Sequence, residues 1–299
     1  MNPGHQADAV TIRSPDGQSS ATFHPGKGGI GSSLMLPSQG RPREWLYVRR
    51  DFHAREEDTG GWPFLFPACG RHRLGEELGV YDWQGNRYRM PLHGFAMRRP
   101  WTVAAVEPNR IVMALEDSES TRDVYPFSFR VELTYEMADR RLNCRLRAIN
   151  RGKEPMPFCA GFHPYFLVDP AQAATWTITG AIRRVGRYAA GYTEVEAWEE
   201  ARGPLAVDAA ARENRLVEVD PDQPVVFSEA GRDVLRIHPN QPGDTISYRY
   251  LQTWRSGNDP FICLEPWTGY PNALNHPPRA QLVQAGTTAE ANLIVEAIG

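Results

Sequence analysis

The sequence feature that most constrains the fold is a strict alternation of apolar and polar side chains. From Phe127 to Met137 every second residue is apolar, and each residue between them is polar or charged. The same alternation returns from Leu142 to Ala148, after a predicted turn at 138–141. Successive side chains of a strand point to opposite faces of a sheet, so this pattern is typical of half-buried antiparallel strands. The two segments together predict a long hairpin.

The rest of the chain extends this β pattern. No window of helical length shows a convincing apolar stripe at i, i+3, i+4 and i+7, although 206–216 could hold a short helix. The 26 glycines and 25 prolines are spread along the chain and supply turns between short strands. We therefore predict an all-β protein with few short helices. The shorter strand candidates lie at Thr11, Ala21–Phe23, Ile111–Leu115, Thr175–Thr179, Val225–Ser228, Val234–His238, Phe261–Glu265 and Leu293–Ala297.

Nothing in the sequence divides the chain into separate units. It contains no Ser/Gly-rich linker and no repeat of fixed period. All-β sandwiches and barrels often reach this length as one unit. We predict a single domain over residues 1–299, with residues 1–10 as the candidate disordered segment.

Charge and cysteine usage narrow the class of protein. The net charge of -3 gives no concentrated basic face, which argues against nucleic acid as a partner. The first ten residues contain no apolar run, so we expect neither a signal peptide nor a membrane anchor. The four cysteines show no CxxC spacing and are expected to be buried thiols in a reducing, cytoplasmic setting.

Glu265 is an unusually placed carboxylate at the end of an apolar strand candidate. Strand alternation puts it on the same face as Phe261 and Cys263, with Ile262 and Leu264 on the other face. An apolar setting removes water from a carboxylate and favours its protonated form, which suits a general base. The alternative is a buried glutamate that pairs with an arginine for structural reasons.

Two histidines have a similar setting. His163 lies among aromatic residues, and His93 lies between Leu92 and Gly94. A histidine with an ordinary pKa of about 6.5 can give or accept a proton at neutral pH. Each ring could equally be a core histidine bonded to backbone. The aromatic neighbours favour the chemical role, because aromatic faces stack on the C–H surfaces of sugars.

Other kinds of site have less support in the sequence. Two histidines and a glutamate can hold a metal, but no HxH or HExxH spacing occurs, so we expect no metal. GxGxxG, P-loop and GxSxG patterns are absent, which leaves nucleotide binding and serine hydrolysis unsupported. Arg71 could donate paired hydrogen bonds to a sugar or could be a surface charge.

Five motifs taken in order resemble the aldose 1-epimerase (galactose mutarotase) family. They cover the chain from about residue 60 to 275, in the family's order and approximate spacing. The motifs are Gly60–Pro67 with Arg71, His93–Ala96, Tyr125–Phe127, Gly161–Phe166 and Leu264–Gly269. The resemblance implies a large antiparallel β-sandwich of the galactose mutarotase type, in agreement with the alternation.

The resemblance also implies an activity, the interconversion of α and β anomers of an aldohexose without a cofactor. Glu265 matches the general base that removes the proton of the C1 hydroxyl. His163 matches the general acid that protonates the ring oxygen, and His93 matches the second histidine near that oxygen. The implied partner is a small sugar, with the protein a monomer or homodimer that binds neither nucleic acid nor membrane.

Four further residues are candidates for binding the sugar. Arg71 matches the arginine that contacts sugar hydroxyls, and Asp208 is our candidate for the family's sugar-binding aspartate. Tyr165 and Trp267 are candidate aromatic walls of the pocket.

The sequence does not decide the branch of the family or the substrate. Phe162 stands where galactose mutarotases carry asparagine before the histidine, which indicates a different branch of the family. A related branch acts on hexose 6-phosphates, and Arg73, Arg98 or Arg99 could bind the phosphate. The chain could also be a sugar-binding protein without turnover or a metal-dependent sugar isomerase.

Overall fold

A computed structural model of the protein describes residues 9–52, 60–210, 214–257 and 259–299. Its α-helices are single short turns, α1 (Glu119–Arg122) and α2 (Val207–Ala210), and its 3₁₀ helices span Ala96–Arg98, Pro170–Thr175, Ala273–Asn275 and Pro277–Arg279. None of the helices in these ranges has the length and apolar character needed to cross a membrane. The strands in chain order are β1 (Val10–Arg13), β2 (Ser20–His24), β3 (Ile30–Ser38), β4 (Arg41–Glu44), β5 (Phe64–Leu65), β6 (Arg73–Leu74), β7 (Glu77–Leu78), β8 (Val80–Trp83), β9 (Asn86–Arg89), β10 (Thr102–Glu107), β11 (Arg110–Glu116), β12 (Phe129–Ala138), β13 (Arg141–Asn150), β14 (Met156–Phe158), β15 (Gly161–Phe162), β16 (Tyr165–Leu167), β17 (Trp176–Gly180), β18 (Ile182–Tyr188), β19 (Val195–Glu200), β20 (Leu205–Ala206), β21 (Arg215–Val219), β22 (Val225–Glu229), β23 (Arg232–His238), β24 (Tyr250–Trp254), β25 (Phe261–Trp267), β26 (Gln281–Val283) and β27 (Thr288–Ala297).

Two large antiparallel sheets dominate the architecture. The first has nine strands in the order β10-β11-β12-β13-β27-β23-β22-β17-β20. The second is an eight-stranded sheet in the order β19-β18-β21-β24-β25-β15-β5, with β16 also paired to β25. Strands β1 to β4 form a separate four-stranded sheet. The predicted all-β class with few short helices is confirmed.

The predicted long hairpin is present as β12 and β13. Val131 pairs with Ala148 and Tyr135 with Cys144, and all four side chains are buried. The chain turns at Arg140, which adopts a left-handed φ of 60°. Each large apolar side chain buried in this way contributes on the order of 1.5–3 kcal/mol to folding.

The main core lies between the two large sheets. Leu133 and Leu293 enter it from the nine-stranded sheet, and Leu251 and Leu264 enter it from the eight-stranded sheet. All four side chains are at most 2% exposed. The two sheets therefore form the expected sandwich around a shared apolar layer.

Strand β25 follows the predicted alternation. Ile262 and Leu264 point into the main core, whereas Phe261 and Cys263 belong to a separate cluster on the other face. Glu265 shares that second face, because it stands two residues after Cys263. The outer face of the eight-stranded sheet therefore carries the carboxylate.

The short helix expected within 206–216 is present as Val207–Ala210, and β21 begins at Arg215. Both faces of β21 are covered, since Leu216 and Val217 are buried in different clusters, so its apolar residues do not alternate. Val10 opens β1, so the candidate disordered segment does not extend to residue 10. Residues 1–8 and 211–213 lie outside the described residues.

Candidate active site

Three chemically active side chains meet on the outer face of the eight-stranded sheet. Nε2 of His163 lies 3.3 Å from Oε1 of Glu265. The rings of His93 and His163 are nearly perpendicular, with centroids 5.2 Å apart. One nitrogen or oxygen atom from each of the three side chains lies within 4.8 Å of the others. The fold thus brings together the three residues that the sequence indicated as an acid/base set.

Glu265 stands near the end of β25, directly opposite Gln252 of β24. Its side chain is only 1% exposed. Leu264, its neighbour in sequence, is fixed in the core and holds the strand in register. A one-residue slip would turn the carboxylate into the core, so core packing determines where it points.

His163 is held in the short connection between β15 and β16. Its backbone N–H donates to the carbonyl of Pro63 at 2.9 Å, and its ring stacks on Tyr165 at 4.8 Å between centroids. Gly161 lets Trp267 approach closely, because a Cβ there would lie 2.4 Å from an indole carbon. The backbone bond to Pro63 and the stacked ring of Tyr165 therefore hold the imidazole in place.

His93 occupies a strained turn, with a left-handed φ of 62°. The next residue must be glycine, since a Cβ at Gly94 would lie 2.2 Å from the carbonyl oxygen of Phe66. The backbone N–H of Gly70 donates to Nδ1 of His93 at 3.1 Å. Because Nδ1 accepts this bond, the proton of the neutral ring is on Nε2.

The protonation state of His93 follows from its surroundings. Burial, followed by the nearby His163, Arg98 and Arg71, holds the pKa of His93 well below its usual value. The ring is therefore neutral at physiological pH. A neutral ring whose Nδ1 is occupied can donate one hydrogen bond from Nε2.

The three residues line a cleft with a volume of about 360 Å³. Tyr165 and Trp267, both predicted walls, line it, and Arg71 lies at its surface with an exposed side chain. The indole N–H of Trp267 is buried and finds no acceptor among the described residues. A buried donor of this kind requires an acceptor that the described residues do not supply.

The structure does not bring every candidate to the cleft. Asp208 lies on α2, 3.5 Å from the guanidinium of the buried Arg255, and is not among the residues that line the cleft. The helix follows β20, an edge strand of the nine-stranded sheet, which explains why Asp208 is not on the site face. Arg73 and Arg99 do not line the cleft, whereas Arg98 does.

Sequence reasoning missed Gln252 and three aromatic residues that line the cleft, Tyr188, Tyr192 and Trp254. The hydroxyl of Tyr188 donates to Oε1 of Gln252 at 2.7 Å, and Nε2 of Gln252 donates to the carbonyl of Thr253 at 2.7 Å. Burial and the nearby charge of Glu265 raise the pKa of Tyr188 far above its usual value, so it stays a neutral donor. Residues 250–254 show no regular alternation of apolar and polar side chains, so the local sequence contained no signal for this strand.

The side chains of His93, His163 and Glu265 are also suitable metal ligands. Two imidazoles and a carboxylate are a common set for Zn²⁺, and the three groups are close enough to share a cation. Side chains this close together are also suited to proton transfer. The geometry supports both metal binding and proton transfer, and an activity assay with a chelator distinguishes the two.

An antiparallel β-sandwich with a His/His/Glu cleft on the outer face of one sheet defines an all-β protein of the galactose mutarotase-like fold. The chain belongs to the aldose 1-epimerase family, whose sequence model matches residues 8–295. The Slr1438 protein from Synechocystis has a similar structure, with a TM-score of 0.80, 24% identity and coverage of 99% of both chains. A galactose mutarotase related enzyme from Lactobacillus acidophilus has a TM-score of 0.82 and 19% identity, with 98% of both chains covered. LacX from Lactococcus lactis subsp. lactis is 22% identical over 245 residues, which are 72% of this chain and 76% of LacX.

Proposed function

We propose that this protein is an aldose 1-epimerase that interconverts the α and β anomers of an aldohexose. One observation carries the proposal: an imidazole and a carboxylate lie 3.3 Å apart in a cleft with aromatic walls. The C1 hydroxyl and the ring oxygen of a sugar are bonded to the same carbon, so the base and the acid that serve them must lie close together.

The reaction consists of proton transfers in both directions. Glu265 takes the proton of the C1 hydroxyl while His163 gives a proton to the ring oxygen, and the bond between C1 and the ring oxygen breaks. Rotation of the resulting aldehyde about C1–C2 exposes its other face. Reclosure returns both protons and yields the other anomer. Every proton taken is given back, so the cycle requires no cofactor.

His93 assists this cycle as a neutral donor. Its Nε2–H can bond the ring oxygen and stabilise the charge that develops there. Its low pKa prevents it from adding a second positive charge beside His163. Arg71 and the indole N–H of Trp267 supply further donors for sugar hydroxyls.

A hexose 6-phosphate is the second candidate substrate. Arg71 and Arg98 both line the cleft, and neither pairs with a carboxylate among the described residues. Arg98 donates instead to the carbonyls of Leu92 and Gly94. Two guanidinium groups without acidic partners suit a phosphate.

The assay uses freshly dissolved α-D-glucose and α-D-galactose, whose optical rotation is followed with and without protein. Anomer exchange of the corresponding 6-phosphates is followed by NMR. We expect acceleration over buffer for at least one sugar. Saturable binding without acceleration would instead indicate a sugar-binding protein, and activity that is lost on chelation would indicate a metal-dependent isomerase.

We also propose a cytoplasmic location, with the protein a monomer or homodimer. All four cysteines are buried free thiols, which fits a reducing compartment.

A further inference from the structure

Asn272 is a buried polar residue that the mechanism leaves without a role. It follows Pro271, which lines the catalytic cleft, but does not line the cleft itself. The residue is 3% exposed, and its backbone is left-handed with a φ of 64°. Glycine and asparagine adopt this conformation more readily than other residues. A buried amide needs hydrogen-bond partners, and those of Asn272 belong to two segments that carry residues of the cleft.

The first of these segments is 70–73, which presents Arg71 to the cleft. The backbone N–H of Asn272 donates to the carbonyl of Arg71 at 2.8 Å. Its side-chain Oδ1 accepts from the backbone N–H of Arg73 at 2.9 Å. Backbone and side chain of one residue thus hold segment 70–73 on both sides of its central residue.

The second segment is the hairpin of β18 and β19. Nδ2 of Asn272 donates to Oε1 of Glu194, which stands at the start of β19, at 3.0 Å. The same hairpin carries Tyr188 and Tyr192, which both line the cleft. Asn272 therefore connects the part of the cleft that contains Arg71 to the part that contains these two tyrosines.

The orientation of the amide follows from its neighbours. The backbone N–H of Arg73 can only donate, and an ionised carboxylate can only accept. Burial acts to raise the pKa of Glu194, but hydrogen bonds from Asn272 and Arg279 outweigh it and hold that pKa below its usual value. Glu194 is therefore ionised at neutral pH. The oxygen of Asn272 must face Arg73, and its nitrogen must face Glu194.

We propose that Asn272 is a positioning residue for the anomerisation, and that its side chain acts through Arg71 and the β18–β19 hairpin without touching the sugar. The inference rests on the proposed function. Arg71 donates to sugar hydroxyls in the ground state and in the transition state alike, so its displacement weakens both. KM should therefore respond more than kcat.

The position of His93 depends on other contacts. The N–H of Gly70 donates to Nδ1 of His93, and its carbonyl accepts from the N–H of His93, both at 3.1 Å. Gly70 in turn lies against Pro271, since a Cβ at Gly70 would lie 2.6 Å from Cγ of that proline. None of these contacts uses the side chain of Asn272, which is why its loss should leave kcat nearly unchanged.

The first test uses Asn272→Gly, which removes the amide and allows the left-handed backbone. The matched control is Asn150→Ala, at the last residue of β13 in the nine-stranded sheet. Asn150 is 1% exposed, and its Nδ2 donates to the carbonyls of Glu154 and Val283 at 2.7 and 2.9 Å. Both variants lose buried hydrogen bonds, so thermal unfolding should show a lower melting temperature for each.

We expect Asn272→Gly to raise KM about tenfold for the sugar that the wild type converts fastest, while kcat changes less than about threefold. Asn150→Ala should leave KM unchanged. An unchanged KM in Asn272→Gly, or an equal rise of KM in both variants, would overturn the proposal and leave the proposed function standing.

A second test does not depend on the folding of Asn272→Gly. Asn272→Asp removes the donor and sets a second carboxylate against Glu194, so KM should rise at least as much. Adding Glu194→Gln restores a donor between positions 194 and 272 and removes the repulsion, so KM should return towards the wild-type value. A double variant with the same KM as Asn272→Asp would contradict the proposal.

Failure of the proposed function has a different outcome, the absence of turnover by the wild type on every sugar. Calorimetry then compares sugar binding by the same proteins. Weaker binding by Asn272→Gly but not by Asn150→Ala supports the role of Asn272, and equal binding by the wild type and both variants refutes it. A wild type that also binds no sugar would overturn both proposals.

Discussion

The outer faces of the two large sheets each carry a carboxylate, but the two carboxylates have different neighbours. On the nine-stranded sheet, Glu132 lies between Arg130 at 2.8 Å and Arg147 at 2.7 Å, and all three side chains are partly exposed. Burial acts to raise the pKa of Glu132, but hydrogen bonds from both arginines outweigh it and hold that pKa below its usual value. On the eight-stranded sheet, Glu265 is 1% exposed and faces an imidazole instead.

This difference shows what turns a sheet face into a reactive one. Permanent guanidinium charges keep Glu132 ionised, so it has no tendency to exchange protons near neutral pH. Glu265 lies beside a group that itself gives and takes protons. The face of the nine-stranded sheet keeps its carboxylate charged, whereas the face of the eight-stranded sheet can transfer a proton.

A large loss of activity is expected from a change at His163. His163→Gln keeps a polar side chain but removes the acid, so kcat should fall about 10²–10⁴-fold. The melting temperature should change little, because the backbone bond to Pro63 remains. Polarimetry measures kcat, and thermal unfolding measures the melting temperature. A variant with wild-type kcat would show that His163 is not the acid.

Leu264→Ala tests the face of β25 that lies opposite to Glu265. The side chain is fully buried in the main core, so its truncation should lower the free energy of unfolding by about 2–5 kcal/mol. The folded fraction should keep its KM, since the carboxylate next to it is unchanged. Urea unfolding checks the first part, and an unchanged midpoint would contradict the placement of the core.

Acid should destabilise the protein through His72, a buried base that follows Arg71 in the sequence. Burial lowers the pKa of His72 to about 4, and its Nε2 accepts from the N–H of Leu274. Its unfolded pKa is about 6.5, so the unfolded state binds more protons between pH 6.5 and 4 and stability falls through that window, by roughly 3 kcal/mol in total.

The matched variant is His72→Gln, with the free energy of unfolding measured at pH 7 and pH 5. Its loss of stability over this interval should be smaller than that of the wild type. Identical losses would show that His72 does not titrate in this window. His93, whose pKa is also lowered, accounts for part of the loss that remains.

The smallest effect is expected from Glu132→Gln on the charged face. Partly exposed ion pairs contribute about 1 kcal/mol or less, so stability should change by no more than that and kcat should not change. A large loss of activity would mean that the two faces are coupled, which breaks the contrast between them. Polarimetry and urea unfolding on the same preparation provide both values.

The sequence predicted what depends on local periodicity. The hairpin of β12 and β13 and the face of Glu265 both follow from alternation, which needs no knowledge of other strands. The meeting of His93 and His163 depends on pairing between distant segments, and only the family resemblance indicated it. Asp208 lies outside the cleft, and local sequence could not indicate this because it does not show to which sheet a short helix belongs.

Gln252 marks the other limit of local reasoning. Its position opposite Glu265 is a property of the register between β24 and β25. The polar residue was visible between Tyr250 and Trp254, but nothing in the segment alone shows which strand it pairs with. Tyr188, whose hydroxyl donates to Gln252, was missed for the same reason.

The most direct test of the central claim is the optical rotation of the sugar that the wild type converts fastest, followed with the wild type and with Glu265→Gln at equal concentration. The substitution keeps the shape of the side chain and removes its ability to take a proton. We predict that the variant remains folded, still binds the sugar and gives no acceleration over buffer. A Glu265→Gln protein that equilibrates the anomers at the wild-type rate would contradict the account.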